Sequence, residues 1–244
     1  LQVTVDGPAQ IHDRRRMLAG GNGTFEVIMN NLDRLINKEQ WSGRLSIRIN
    51  VDTTNQDNFA ETYRLLAERL SGGKAGKVGI YPGYIDDCTT SAHPDCSCGL
   101  QRPEKAHFAM EQYHRYGLDA LTYDPRRHKA GCIATNRNGF VVGPAGELYK
   151  CSNNVNNKEM AIGSIHDLSL NTDLLAKYMV GVEQFEDPVC LDCFYLPVCE
   201  ICPDLRFQNK FQGEQADICA VYKDSLPKFL ETHYTIKRGK QSPQ

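Results

Sequence analysis

The chain has 244 residues, 28 Lys and Arg against 30 Asp and Glu for a formal net charge of −2, and is 41% hydrophobic and 24% charged. That is an ordinary globular balance; it leaves no basic footprint for nucleic acid or a membrane surface, and no apolar run approaches the roughly 20 residues that span a bilayer. The length suits one or two domains, and the ten cysteines, read as free thiols, point to a reducing, cytoplasmic setting.

In chain order, the first half alternates strands and helices. Residues 1–5 read as a strand. TFEVIMNNLDRLI reads as a helix with Thr24 at its N-cap. RLSIRINV, residues 44–51, is the second strand, and Asn58 with Glu61 form an N-x-x-E start for a helix running to about Leu70. KVGIYP, residues 77–82, is the third strand; Pro103 opens a further helix over 104–116, which Gly117 closes. Strands joined by helical crossovers imply parallel pairing, as in a TIM-like barrel.

The second strand alternates. Leu45, Ile47, Ile49 and Val51 face one way, and Ser46, Arg48, Asn50 and Asp52 the other; Gln2, Thr4 and Asp6 repeat the pattern in the first. Parallel strands covered on both faces read as continuous apolar runs, so a polar face suggests a lumen holding a polar ligand. An antiparallel sheet with one wet face is the alternative. Arg14, Arg15 and Arg16 read as a solvated charged patch.

Residues 86–103, DDCTTSAHPDCSCGLQRP, are loop-like. Coming after the third strand, they should lie on the active-site rim. Cys88, Cys96 and Cys98 with His93 are either a metal site or incidental thiols in an insertion; His107 and His114 read as helix-face residues. In the second half GFVVGPAGELYKC is a hairpin turning at Gly143–Gly146 and delivering Cys151. A helix is expected from Asn171 to about Val182, and another from Asp217 to Tyr234 broken near Pro227, with Ile218, Val221 and Tyr222 packing it. The polar tail from Lys237 is expected to be disordered.

The cysteines carry the densest signal. They run Cys190-x2-Cys193-x5-Cys199-x2-Cys202 and then sixteen residues to Cys219, preceded by Cys132-x13-Gly146-x4-Cys151. A disulfide framework belongs to short secreted chains. Zinc knuckles usually stand about 15–20 residues apart, whereas five separate Cys193 from Cys199. Iron–sulfur ligation, in which a compact run sends its last member to another cluster, accommodates the spacing. Both metal readings need several soft donors gathered within a few ångströms, and two partly interleaved sites fit the order.

The seven-cysteine order with its glycine resembles the SPASM domain, the auxiliary-cluster domain of many radical S-adenosylmethionine (SAM) enzymes, over residues 132–219. The family has three residues between its last two closely spaced cysteines; here there are two, Glu200 and Ile201. QVTVDGPAQIHDRRR resembles the strand–loop segment midway through radical SAM barrels, and GTFEVIMNNLDRLI and LSIRINVDTTN follow in the family's order. The family's C-x3-C-x2-C loop, which holds the SAM-binding cluster, does not occur in these 244 residues. The expectation is therefore an α/β fold: the C-terminal part of a partial TIM-like barrel over 1–125, a small cysteine-rich α+β SPASM domain over 126–234, and a tail over 235–244. Such a fragment alone should not cleave SAM.

What the resemblance implies is specific. Thr4, Asp6, Arg48, Asn50 and Asp52 would lie near the SAM site, with closure of the βα turn as the alternative role for Asn50 and Asp52. Cys190, Cys193, Cys199 and Cys219 would hold a second auxiliary 4Fe-4S cluster, and Cys132, Cys151 and Cys202 a first, with one position left to a cysteine of the 88–98 loop, substrate or solvent. A third cluster would accompany a SAM-cluster loop. The implied activity is a peptide or protein maturase installing a crosslink, thioether or oxidation on a ribosomal peptide, with an external electron donor such as flavodoxin or ferredoxin. The anaerobic sulfatase maturases are a related branch, but they carry an aspartate base where this chain has Ser152, and a serine is too weak a base for that role. A rival from another class is a non-catalytic electron-transfer or zinc-stabilised binding module.

Overall fold

The structure, a computed structural model, describes residues 1–37, 41, 43–70, 78–85, 98–121, 132–167, 169–183, 185, 187–199 and 202–241. The chain divides into two compact units, Leu1–Asp124 with Asp224–Gln244, and Pro125–Lys223. The elements begin with β1 (Gln2–Val5), α1 (Ala9–Arg15), α2 (Phe25–Ile36), β2 (Leu45–Val51), α3 (Phe59–Leu70), β3 (Val78–Tyr84) and α4 (Arg102–Tyr116). They continue with β4 (Val141–Val142), β5 (Glu147–Tyr149), β6 (Gly163–Ser164), α5 (Thr172–Val180), α6 (Pro188–Leu191), α7 (Pro203–Phe207) and α8 (Leu226–Gln241).

In the first unit β1, β2 and β3 form a sheet in that order, both pairings parallel. The antiparallel alternative is therefore excluded for these strands. One face is dry: Val5, Leu45, Ile47, Ile49 and Val51 are at most 1% exposed. α2 covers it with Phe25, Met29, Leu32 and Ile36, spaced to share one helical stripe, and α3 adds Phe59 and Leu66. Each such side chain contributes roughly 1.5–3 kcal/mol on leaving water, which is what holds the polar face in place.

Local signals held at α4 and shifted elsewhere. α4 has Pro103 in its first turn and a reciprocal cap, with Gln101 N–H donating to Glu104 Oε2 at 2.7 Å. Gly117 closes it at φ 69°, a left-handed geometry that favours glycine. Thr24 does not cap α2 with its side chain. Asp13 does so from α1, its Oδ1 accepting from Thr24 N and Phe25 N, both at 2.8 Å. α8 begins at Leu226, so Pro227 sits in its first turn instead of breaking it, and it continues to Gln241 where the sequence suggested disorder. It belongs to the first unit, joined to α4 by His114 Nε2 and Thr232 Oγ1 at 3.0 Å and to Asp119 by Lys240 at 2.7 Å. The second unit was expected to keep that helix.

The second unit is built on a three-stranded antiparallel sheet, β4–β5–β6; the hairpin was legible, β6 was not. At the turn, Gly146 has φ 88°, and a Cβ there would stand 2.8 Å from His166 Nε2. The small core gathers Tyr149, Ile162, Leu174, Tyr178 and Phe207, with the rings of Tyr178 and Phe207 stacked at 4.5 Å. Asn171 caps α5, its side chain accepting from Leu174 N at 3.0 Å.

Asp13→Ala should lower unfolding free energy by about 1–2 kcal/mol, because it removes the acceptor for two N–H groups at the start of α2; Asp13→Asn should recover most of it. Urea denaturation of the two variants measures this, and equal losses in both would place the effect in the carboxylate charge.

Candidate functional site

Two sets of groups stand out, one in each unit. On the wet face of the parallel sheet the registers align Gln2 with Ser46 and Gly79, Thr4 with Arg48 and Tyr81, and Asn50 with Gly83. Tyr81 OH donates to Gln2 Oε1 at 2.9 Å. Gly83 makes the face passable, since a Cβ there would overlap the Arg48 side chain. Arg48 Nη2 donates to Tyr84 O at 3.3 Å, while its Nε and Asn50 Oδ1 are buried without a partner among the described residues. Buried polar atoms are nearly always paired, so these two mark unmet capacity on this face.

At the C-terminal ends of β1 and β2 the carboxylates are already engaged. Asp6 accepts from Asn50 Nδ2 at 2.8 Å and from the Arg16 guanidinium. Its backbone N–H reaches His12 Nδ1 at 3.2 Å, and Asn55 Nδ2 ties Asp6 O and Asn50 O together at 2.7 and 2.8 Å. Asp52 pairs with Arg15 at 2.8 Å and accepts from Thr54 N at 2.8 Å and Thr54 Oγ1 at 2.7 Å. Burial pushes the Asp52 carboxyl up, but the hydrogen bonds from Arg15 and Thr54 outweigh it and hold it below the usual carboxylate range. Arg15 and Arg16 are thus structural partners of the βα turns, not the solvated patch the sequence suggested. Asp52 closes its turn, and Asn50 and Arg48 keep open capacity.

In the second unit the seven cysteines fall into two neighbourhoods. Cys190, Cys193, Cys199 and Cys219 line one cavity with Val189, Tyr195, Leu196, Ala220 and Lys223. α6 carries Cys190 and is capped by Asp187, whose Oδ1 accepts from Val189 N at 2.9 Å. Cys193 N–H donates back to Cys190 O at 3.0 Å, and Cys219 N–H to Asp217 Oδ1 at 3.2 Å. Arg206 Nη2 donates to Cys190 Sγ at 2.9 Å, and Lys223 Nζ to Cys219 Sγ at 3.6 Å.

Of the other three, Cys151 and Cys202 stand beside Asp204, and Cys132 beside Cys202. Cys151 follows β5, Cys202 is the N-cap of α7, and Cys132 precedes the 3-10 turn Ile133–Thr135. Burial pushes the Cys151 thiol up to about 12, with Asp204 and Cys202 adding to it; burial likewise raises Cys202, with Asp204 and Cys132 contributing. Asp204 is 1% exposed. It accepts from Tyr178 OH at 2.6 Å, Asn154 Nδ2 at 2.7 Å and Gln208 Nε2 at 3.2 Å. Lys150, also fully buried, donates to Asn136 O at 2.6 Å and Gly139 O at 2.7 Å; burial lowers its pKa and Cys132 opposes that.

The described cysteines are all free thiols. No three His, Cys, Asp or Glu among the described residues converge tightly enough for a single ion; four thiols instead share one cavity. Cys98 belongs to the first unit, beside the turn after β2, its carbonyl accepting from Thr53 N at 3.0 Å. Cys88, His93 and Cys96 lie outside the described residues. Sequence reasoning missed Lys150, Asp204 and Arg206. A signal was present, since Asp204 and Arg206 share a short helix opened by Pro203 directly after Cys202.

Against solved structures, the chain shares its fold with anSMEcpe, an anaerobic sulfatase-maturating radical SAM enzyme with a SPASM domain. The native form with bound AdoMet superposes with a TM-score of 0.57 at 14% identity, over 99% of this chain and 68% of that one. The form with AdoMet and the Cp18Cys peptide gives 0.53 at 15% identity, over 96% and 67%. The chain thus spans about two thirds of those proteins. At these identities the likeness is one of fold. No protein-family model and no curated protein sequence matches the chain.

The lowered Asp52 pKa gives a signed pH prediction. Its pairing stabilises the fold fully above the unfolded pKa and is lost as pH falls through the lower folded value. Asp52→Asn should therefore be less stable than the parent at pH 7, the gap closing on acidification. A gap constant from pH 7 to pH 2, followed by denaturant melts, would assign the effect to packing.

Proposed function

We propose that this chain serves a radical SAM peptide or protein maturase, with two auxiliary 4Fe-4S clusters in its second unit. The observation that carries the reading is the sorting of seven cysteines into four that line one cavity and a group of three, two of them beside Asp204. The fold shared with anSMEcpe supports it. Cys190, Cys193, Cys199 and Cys219 would hold one cluster; Cys132, Cys151 and Cys202 would hold the other, leaving one position for another ligand. The donor set fits: thiolates are the ligands of such clusters, and charged donors already reach two of the sulfurs. When bound, the clusters would supply one-electron chemistry or a substrate-binding iron.

In the first unit, Thr4, Arg48 and Asn50 would face SAM on the polar side of the sheet, where Arg48 Nε and Asn50 Oδ1 have capacity to spare. Asp6 and Asp52 would hold the turns that shape that side. The partners implied are a ribosomal peptide or protein and a small electron donor of the flavodoxin or ferredoxin type. Their modification chemistry would be a crosslink, a thioether or an oxidation.

The sulfatase-maturase reading is favoured within the class by the shared fold, since solved forms of anSMEcpe contain the Cp18Cys and Kp18Cys peptides. Against it, Ser152 follows Cys151 where that branch has a carboxylate, and the neighbouring Asp204 is enclosed by Asn154, Tyr178 and Gln208. Mass spectrometry of a cysteine-containing peptide after turnover separates them: formylglycine would select the sulfatase-maturase reading.

Anaerobic reconstitution of residues 1–244 with iron and sulfide should give two 4Fe-4S clusters, roughly eight irons per chain. Cys193→Ala should lose about half of that iron and the stability coupled to it, with the Cys132, Cys151 and Cys202 cluster kept. Stoichiometric zinc without sulfide in anaerobically purified protein would overturn the reading in favour of a zinc-stabilised module.

A further inference from the structure

We infer that Arg206 and Lys223 tune the redox potential of the site formed by Cys190, Cys193, Cys199 and Cys219, each by a charged hydrogen bond to a ligand sulfur. The inference rests on the cluster reading above and adds residues that the cysteine pattern does not specify.

Arg206 lies on α7 with its side chain 5% exposed. Its Nη2 is 2.9 Å from Cys190 Sγ and its Nη1 3.4 Å from Asp187 Oδ2, while its Nε has no partner among the described residues. A guanidinium cannot shed its charge, and a buried charge needs an opposite one with good geometry. The long contact to Asp187, whose side chain is 35% exposed, is thin compensation. A neutral thiol adds little, because sulfur is a weak acceptor; a thiolate adds a charge-assisted hydrogen bond. The surroundings of Arg206 are therefore balanced when Cys190 is a ligand thiolate. Lys223 acts on a second sulfur of the ring, its Nζ 3.6 Å from Cys219 Sγ and lining the same cavity.

The group of three differs. Among the described residues its charged neighbours include one cation, Lys150, and one anion, Asp204, with the Asp204 carboxylate hydrogen-bonded to the Cys151 thiol. The ring of four has two cations donating directly to sulfur, with Asp187 partly offsetting one. When a 4Fe-4S core with four thiolates takes one electron from an external one-electron donor, its total charge goes from −2 to −3, with no proton or bond exchanged. Donors aimed at the sulfurs stabilise the more negative state and raise the potential. Arg206 and Lys223 are thus tuning residues, acting through the ligand sulfurs.

The test is EPR-monitored potentiometry of the anaerobically reconstituted chain titrated with dithionite through mediators. Cys132→Ala identifies which signal belongs to the ring of four. Lys223→Met should lower that cluster's midpoint so that the reduced-to-oxidised ratio at a fixed potential falls about tenfold, which is about 59 mV for a one-electron couple. Arg206→Met should shift it further and Arg206→Lys should restore part of the shift, while the other cluster's midpoint stays in place. Unchanged midpoints at full iron content in Lys223→Met and Arg206→Met would overturn the inference and leave the cluster reading standing. Loss of the cluster from Lys223→Met would also overturn it, making the cation structural. Failure of the unsubstituted chain to take up iron and sulfide would remove the cluster reading itself.

Discussion

The buried carboxylate of Asp204 is the joint on which the cysteine unit depends. Its acceptor sites are filled by Tyr178 from α5, Asn154 from the turn after Cys151, and Gln208 just past α7. Three separated segments are pinned by one side chain, and two of them carry Cys151 and Cys202. A buried network of this kind is stabilising when every member is satisfied and costly when one is removed. Burial and the adjacent carboxylate also hold the Tyr178 phenol well above its usual range, so it stays a donor at all ordinary pH. The Tyr178–Phe207 stack then closes the apolar core over the network.

The ring of four lies at the edge of this support. Val189, Leu191 and Phe194, which flank its first two cysteines, are more than half exposed, and α6 is a single turn held by an Asp187 cap. A segment with so little apolar burial has little to offset its chain entropy. Ligand binding supplies the missing free energy in such segments, which couples metal uptake to folding. The two neighbourhoods therefore differ in kind: one is fixed by a packed polar network, while on the proposed reading a cluster would supply much of the order of the other.

Much of this was legible in the sequence because the signals were local. The alternation in LSIRINV marked a sheet with one dry and one polar face, and Pro103 with Gly117 marked both ends of α4. The cysteine spacing suggested two interleaved sets, and four of the seven line one cavity. What escaped was long-range. Asp13 caps α2 across a loop, displacing Thr24 from the role its position suggested. Arg15 and Arg16 face Asp52 and Asp6, partners that no window around residue 15 contains. α8 follows the cysteine region in sequence, yet packs through Thr232 on His114 of the first unit. Asp204 and Arg206 went unread: their place just after Cys202 was a signal, but their burial comes from partners distant in sequence, Tyr178 and Asn154 for one and Cys190 for the other.

The central claim is that two spatially separate iron–sulfur clusters are held by these two cysteine sets. Anomalous diffraction at the iron absorption edge, from crystals of the anaerobically reconstituted chain, tests it most directly. The account predicts two compact iron peaks, one enclosed by Cys190, Cys193, Cys199 and Cys219 and the other beside Cys132, Cys151 and Cys202. A single peak at the zinc edge, or disulfide density joining these cysteines, would contradict it.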